Sequence, residues 1–194
     1  MQSFGGEGPL ACPQPSVGHF ALVSYIPDPL ARFLDDLRLE LTPDCNPHAH
    51  VTILPPRPVS EDLKETVLQL REGLRNIPAF RTELGDVEVF GKSSVIYLGL
   101  RRGQDELRQL YKKLNQGVVE YRESFPYHPH ITIGQNIPPE EVERKAAVAR
   151  EKWAAWTGPR GFDVSVLSFV QQVAPDIWTD VASLPLTVRV LAAG

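Results

Sequence analysis

His50-Val51-Thr52-Ile53 is repeated later in the chain as His130-Ile131-Thr132-Ile133. The second copy follows the first by 80 positions, and each copy is preceded by one more histidine, His48 or His128. Four of the five histidines of the protein therefore lie in or directly before the two copies. A chain so poor in histidine that concentrates it in one repeated pattern indicates a functional site.

Each copy alternates polar and aliphatic residues, a pattern typical of a half-buried β-strand. Side chains two positions apart on a strand point to the same face. His50 and Thr52 should therefore lie on one face, with Val51 and Ile53 turned to the core. The second copy predicts the same arrangement, so two strands should each present one imidazole and one hydroxyl.

Two imidazoles and two hydroxyls that converge across a groove are suited to acid–base chemistry on a phosphate ester. Histidine can serve as base or acid near neutral pH. A neutral imidazole would take the proton of an attacking water or hydroxyl, and a protonated one would donate to the departing oxygen. Each role typically contributes about 10²–10⁴-fold in rate. The near-equivalence of the two copies leaves open which histidine is the base.

The composition is that of an ordinary globular protein, with 194 residues of which 42% are hydrophobic and 23% charged. A net charge of −4 argues against extended wrapping of nucleic acid, which depends on many contacts from Lys and Arg to phosphates. No apolar run approaches the roughly 20 residues that span a bilayer. We expect no membrane contact and no signal peptide. Cys12 and Cys45 form no CxxC pair, and we expect reduced thiols in a cytoplasmic protein.

Helical and strand patterns alternate through the chain and predict an α+β protein. Residues 1–17 are rich in Gly and Pro and predict a flexible leader, followed by one domain over 18–194. Pro55-Pro56 is expected to end the first motif strand. No GxGxxG or P-loop pattern occurs. Strands are predicted over 19–26, 48–54, 80–90, 94–100, 130–134, 162–173, 178–181 and 186–191, and helices over 30–41, 61–74, 105–119 and about 18 residues from 138.

The paired His-x-Thr-x segments resemble the signatures of the 2H phosphoesterase superfamily. The surroundings, HVTILPPRP from the first motif histidine and PYHPHITIG around the second, are similar to the bacterial 2′–5′ RNA ligase or RNA 2′,3′-cyclic phosphodiesterase branch. The resemblance implies a two-lobed α+β fold with pseudo-two-fold symmetry, an antiparallel-rich sheet in each lobe and a groove between them. It also implies metal-independent cleavage of cyclic or 2′–5′ phosphodiester bonds, without a cofactor and reversible as ligation.

Carried over by position, the resemblance makes His50 and His130 the acid–base pair and makes Thr52 and Thr132 the phosphate-binding residues. We expect a monomer whose partner is a small nucleotide or an RNA end.

The sequence leaves two roles open for the residues around the motifs. His48 and His128 either orient the catalytic pair or are polar residues at the strand entrances. The remaining candidates for orienting that pair or contacting phosphate and base are Arg57, Tyr127, Phe90 and Tyr97.

Three alternatives stay open at this point. Four imidazoles in two His-x-His pairs suit a zinc site, although no carboxylate accompanies either pair and the threonines have no role there. A non-catalytic RNA-binding or nucleotide-binding module of the same fold is the second alternative, although such modules usually lose one motif residue. Buried histidines with purely structural hydrogen bonds are the third.

Overall fold

The computed structural model describes residues 18–58 and 63–187. The leader predicted over 1–17 and most of the strand predicted over 186–191 lie outside the described residues. The elements in chain order are β1 His19–Tyr25, α1 Leu30–Leu41, β2 His50–Pro58, α2 Leu63–Leu74, β3 Phe80–Phe90, β4 Val95–Arg102, α3 Gln104–Leu114, a 3-10 turn Gly117–Val119, β5 Ile131–Gly134, α4 Pro139–Ala155, β6 Gly161–Val164, β7 Val166–Ala174 and β8 Ile177–Pro185.

Two four-stranded antiparallel sheets form the frame of the protein. The sheet of the first lobe has the strand order β2-β1-β7-β8, and that of the second lobe has the order β5-β4-β3-β6. All pairings within both sheets are antiparallel. The predicted α+β class with one antiparallel sheet in each lobe is therefore confirmed.

The two motif strands occupy equivalent places in the two lobes. β2 and β5 are each an edge strand of their sheet. β2 pairs with β1 of the unit β1-α1-β2, and β5 pairs with β4 of the unit β4-α3-β5. The two edge strands contact each other. The helices pack crosswise, because α1 of the first unit lies against β5 and α3 of the second lies against β2. Each unit therefore supports the motif of the other.

The core explains why the motif strands are held in register. The aliphatic residues between the motif histidines and threonines are fully enclosed, and so are the inner faces of α1 and α3. Burying such side chains is worth about 1.5–3 kcal/mol each. A slip of one residue would turn these aliphatic residues to solvent and the histidines to the core. These residues are Val51, Ile53, Ile131, Ile133, Leu34, Leu37, Leu41, Leu107, Leu110 and Leu114.

The first motif strand is longer than predicted. Pro55-Pro56 does not end it, and β2 continues to Pro58. Proline cannot donate a hydrogen bond to a neighbouring strand. Within its sheet β2 pairs only with β1, so the side of β2 that faces away from β1 tolerates proline.

Two further predicted boundaries differ in the structure. The single strand expected over 162–173 is two strands, β6 in the second sheet and β7 in the first, separated at Ser165, whose carbonyl accepts the backbone N–H of Leu186. The alternating pattern runs through this change of sheet and gives no signal of it. The helix expected over 105–119 ends at Leu114, and the left-handed Gly117 (φ 60°) starts the 3-10 turn.

Candidate active site

The two motifs have the same local structure. His50 and Thr52 are half-buried, and so are His130 and Thr132. The aliphatic residues between them, Val51 and Ile131, are buried. The predicted alternation along each motif is therefore present. His48 and His128 lie in the loops before β2 and β5, and both are exposed.

The ring orientation of the two motif histidines is fixed in the same way. Nδ1 of His50 lies 2.6 Å from the carbonyl oxygen of His48, and Nδ1 of His130 lies 2.7 Å from that of His128. A carbonyl oxygen can only accept, so Nδ1 must carry the proton and donate it. In the neutral ring Nε2 then holds a free lone pair, and in the charged ring it holds a proton. Each histidine can therefore act through Nε2 as base or acid.

Burial disfavours the charged form of both imidazoles. It lowers the pKa of His50 to about 4, against the hydrogen bond to His48, and the charges of Arg38, His48 and His130 lower it further. Burial also lowers the pKa of His130, with a smaller contribution from the charge of His128. Both rings are therefore mainly neutral near pH 7 without a ligand. The charge of His130 lowers the pKa of His50, and the strands β2 and β5 contact each other.

Aromatic rings flank the first motif. The ring of His48 stacks on Tyr25 with centroids 3.9 Å apart and an interplanar angle of 8°. Tyr25 lies opposite His50 in the β1–β2 pairing, and its hydroxyl donates to Asp180 Oδ1 at 2.7 Å. The exposed His48 is therefore held against an aromatic partner at the entrance of the first motif.

A corresponding pair flanks the second motif. Phe90 and Tyr97 stack with centroids 4.0 Å apart, and both present faces or edges to His128 and His130 at 5.0–5.6 Å. The hydroxyl of Tyr97 donates to Glu88 Oε2 at 3.0 Å. The structure thus brings Phe90 and Tyr97, two of the three aromatic candidates of the sequence, to the histidines of the second motif.

Tyr127 links the two motifs. Its hydroxyl donates to the backbone carbonyl oxygen of Thr52 at 2.7 Å. Its ring stacks on Tyr111 of α3 with centroids 4.3 Å apart and an angle of 7°. Tyr127 therefore ties the segment that enters the second motif to the middle of the first.

Arg57 is enclosed in the protein and is not available to a substrate. It is 1% exposed, and its guanidinium donates to Pro55 O, Asn115 Oδ1, Val119 O and Glu123 Oε1. Of the two roles that the sequence left open for it, its enclosure and its four hydrogen bonds favour support of the site over direct contact with a substrate. The residue instead joins β2 to the segment that leads into the second motif.

Sequence reasoning missed two charged residues beside the first motif. The carboxylate of Asp35 on α1 interacts with the backbone N–H of Ala49 and feels the charge of His48, and burial raises its pKa. Arg38 lies one turn further along the helix and is the largest charge effect on His50. The only signal in the sequence was that polar residues, Asp35, Arg38 and Thr42, recur three and four positions apart in a segment whose leucines supply the core.

A metal centre of the usual kind is not formed by the described residues. Among 18–58 and 63–187, no three His, Cys, Asp or Glu side chains come together in a metal-binding arrangement. The same residues contain no helix long and apolar enough to cross a membrane.

Comparison with known proteins identifies the family. A family model described as the 2′-5′ RNA ligase superfamily matches residues 26–176, which include both motifs. The chain belongs to this superfamily of 2H phosphoesterases.

Bacterial relatives of this superfamily match part of the chain. A protein of Halalkalibacterium halodurans that carries the name "Putative phosphoesterase" is 30% identical over 94 residues, which are 48% of this chain and 55% of that protein. A protein of the same name from Oceanobacillus iheyensis is 32% identical over 82 residues, 42% of this chain and 48% of that protein. The chain spans about half the length of the curated relatives it matches.

Several solved structures share the fold over most of the chain. A structure described as a phosphoesterase has a TM-score of 0.63 at 20% identity and covers 89% of this chain and 99% of its own. Escherichia coli LigT has a TM-score of 0.62 at 19% identity, with 88% and 98% coverage. LigT has also been crystallised with 3′-AMP, ATP, NADP+ and phosphate. These likenesses concern the fold, and they support the two-lobed architecture.

Proposed function

We propose that the protein is a phosphodiesterase in which His50 and His130 form an acid–base pair acting on a 2′,3′-cyclic phosphate or a 2′–5′ linkage. The observation that carries the proposal is the matched hydrogen bond from each Nδ1 to a backbone carbonyl. It fixes both tautomers and leaves both Nε2 atoms for proton transfer. A purely structural histidine needs no such match in two separate strands.

The reaction needs one neutral and one protonated imidazole. One Nε2 takes a proton from water as the water oxygen attacks phosphorus. The bond from phosphorus to the 2′ or 3′ oxygen of the ribose breaks, and the other Nε2 gives its proton to that oxygen. In ligation the 5′-hydroxyl of a second ribose attacks phosphorus in place of water, and each histidine keeps its role. In the reverse of ligation the free ribose hydroxyl attacks phosphorus, the bond from phosphorus to the 5′ oxygen breaks, and the two histidines exchange roles.

Binding of the substrate produces the protonated imidazole that the reaction needs. Both imidazoles are neutral near pH 7 in the free protein because burial lowers each pKa. A phosphate anion in the groove favours the charged form of a nearby imidazole and raises its pKa. Thr52 and Thr132, half-buried beside the histidines, would hold the phosphate oxygens through their hydroxyls.

We further propose that the reaction needs no metal, that the partner is a small nucleotide or RNA end, and that a cytoplasmic monomer carries it out. The free thiol of Cys45 suits a reducing compartment. The zinc alternative is separated by dialysis against a strong chelator followed by elemental analysis. Activity that is lost with the metal and regained with zinc would contradict the metal-free reaction.

The test of the proposed function is a hydrolysis screen with 2′,3′-cyclic nucleotides, RNA ending in a cyclic phosphate, ADP-ribose cyclic phosphate and 2′–5′ oligoadenylate. His50→Ala and His130→Ala should abolish turnover of every accepted substrate and leave the circular dichroism spectrum unchanged. His19→Ala, which removes the histidine outside the motifs, is the matched control and should keep activity. If either motif variant kept wild-type activity, the acid–base assignment would be wrong. Binding without any turnover by the wild-type protein would favour the non-catalytic module.

A further inference from the structure

Two arginines near the motifs differ in how their donors are used. Arg57 is fully enclosed and bonded to four oxygens. Arg38 is half-buried, its Nε is buried without a hydrogen-bond partner, and no described residue forms an ion pair with it. A buried donor without a partner destabilises the free protein, and a ligand that accepts a hydrogen bond removes this cost. Arg38 therefore has guanidinium donors left for a ligand, whereas Arg57 is enclosed.

Arg38 is held next to the first motif by its helix. It lies in the last turn of α1, the helix that precedes the first motif and packs against β5 of the second. One turn earlier, Asp35 interacts with the backbone N–H of Ala49, directly before His50. This contact places the polar side of α1 at the first motif. Among the charges that lower the pKa of His50, that of Arg38 has the largest effect.

The polar side of α1 carries more unused hydrogen-bonding capacity. Oδ1 of Asp35 and Oγ1 of Thr42 are buried without a partner, as is Nε of Arg38, and the three residues lie three and four positions apart. Asp35 and Arg38 share one face of α1, and Thr42 is the residue directly after the helix. These are the three buried side-chain atoms without a partner found in the described residues. Hydrogen bonding is therefore incomplete at the C-terminal end of α1, and the Nε of Arg38 is the unpartnered nitrogen donor there.

The equivalent position in the second lobe carries an aromatic residue. Arg38 follows Leu37 in the buried series Leu34, Leu37 and Leu41 of α1, and Tyr111 follows Leu110 in the matching series Leu107, Leu110 and Leu114 of α3. The ring of Tyr111 stacks on Tyr127, in the segment before the second motif. The two lobes therefore differ at this position: one has a stacked aromatic ring, and the other has a cation that interacts with the charge of Asp35 but forms no ion pair with a described residue.

We propose that Arg38 binds the anionic phosphate oxygens of the substrate beside His50. The proposal rests on the proposed function and adds a group to the site that neither motif contains. A guanidinium matches phosphate with two parallel hydrogen bonds, and a phosphate would give the buried donor its partner. Arg38 also supplies positive charge where the two neutral imidazoles have none.

The test measures binding of inorganic phosphate by titration calorimetry, which needs no turnover. Arg38→Gln should weaken phosphate binding at least about tenfold, equivalent to about 1.4 kcal/mol. Arg38→Lys keeps the charge but loses the fork, and should lie between Arg38→Gln and the wild type. Arg32→Gln, on the same helix and exposed in an ion pair with Asp28, is the matched control and should bind phosphate as the wild type does.

Equal phosphate binding by wild type and Arg38→Gln would overturn the proposal. So would weakening by Arg32→Gln to the same extent, because binding would then follow the charge of the surface. If Arg38→Gln does not fold, Arg38→Lys decides, and wild-type phosphate affinity in that variant would count against a bidentate contact. Failure of the proposed function is distinguishable, since it appears as retained turnover in His50→Ala or His130→Ala, whatever Arg38→Gln does to phosphate.

Discussion

The hydroxyl of Tyr127 donates a 2.7 Å hydrogen bond to the backbone carbonyl oxygen of Thr52. This single bond joins the residue before His128 to the centre of the other motif. It spans 75 positions of sequence and crosses between the two sheets. The relative placement of the two motifs therefore depends on a residue that belongs to neither of them.

Tyr127→Phe should lower kcat by about three- to tenfold with little change in KM, because the lost hydrogen bond is worth on the order of 1 kcal/mol. The ring stack on Tyr111 stays in place, so the fold is kept. Steady-state kinetics over the accepted substrates measures the effect. Tyr111→Phe is the control, since that hydroxyl only accepts from Asn115 and touches neither motif. An equal loss in both variants would point to general loosening instead of motif placement.

The free energy of unfolding should fall between pH 6.5 and about 4 because of His50. Its pKa is about 4 in the folded protein against an ordinary value of 6.5. In this window the unfolded chain binds a proton that the folded protein excludes, so lowering the pH favours unfolding. The loss is at most about 3.4 kcal/mol at 1.36 kcal/mol per pKa unit, and partial exposure of the ring reduces it.

Urea unfolding at pH 7, 5.5 and 4.5 measures this dependence on His50. A His50→Gln variant has no titrating ring at that position and should lose less stability over the same range. Parallel pH profiles for the two proteins would show that the pKa of His50 is not depressed by folding.

The pH dependence of kcat/KM should be a bell. Its acid limb reports protonation of the histidine that must be neutral, and its alkaline limb reports loss of the proton from the other. Because the two rings influence each other, the apparent pKa values belong to the pair. Initial rates from pH 4 to 9 with a cyclic nucleotide check this. A flat profile under chemistry-limited conditions is incompatible with two-histidine catalysis.

Arg57→Met should destabilise the protein by about 3–5 kcal/mol, because it leaves the carboxylate of Glu123 without its partner in a largely enclosed site. The matched control is Arg75→Met, which breaks an exposed ion pair with Glu72 and should cost less than about 1 kcal/mol. Urea midpoints at pH 7 compare the two. In the double variant Arg57→Met with Glu123→Gln, the loss should be smaller than the sum of the single losses.

Thr52→Val and Thr132→Val should each lower turnover by about 10- to 100-fold, as expected for removing a donor to a developing anionic oxygen. Valine keeps the shape and strand preference of threonine, so the unfolding midpoint should change little. Each variant is assayed beside Thr179→Val, which changes an exposed threonine on β8. Full activity in both motif variants would remove threonine from the phosphate site.

The motif strands, the α+β class and most helices were predictable because they depend on local periodicity. The spacing of Leu34, Leu37 and Leu41 predicts a helix face, and the alternation in His50-Val51-Thr52-Ile53 predicts a strand with one buried side. The strand boundary at Pro55 was not predictable in the same way. Whether proline ends a strand depends on whether a neighbour needs its N–H, and that neighbour is chosen by the sheet order.

The sequence alone determined that two equivalent His-x-Thr strands exist, because repetition and two-residue periodicity are properties of the chain. Tertiary structure alone decided which residues surround them. It enclosed Arg57 against Glu123, left the buried Nε of Arg38 without a hydrogen-bond partner, and connected Tyr127 to Thr52. The physical reason is that charge, burial and hydrogen bonding depend on neighbours distant in sequence. The same residue type therefore forms an enclosed ion pair in one place and keeps an unused buried donor in another.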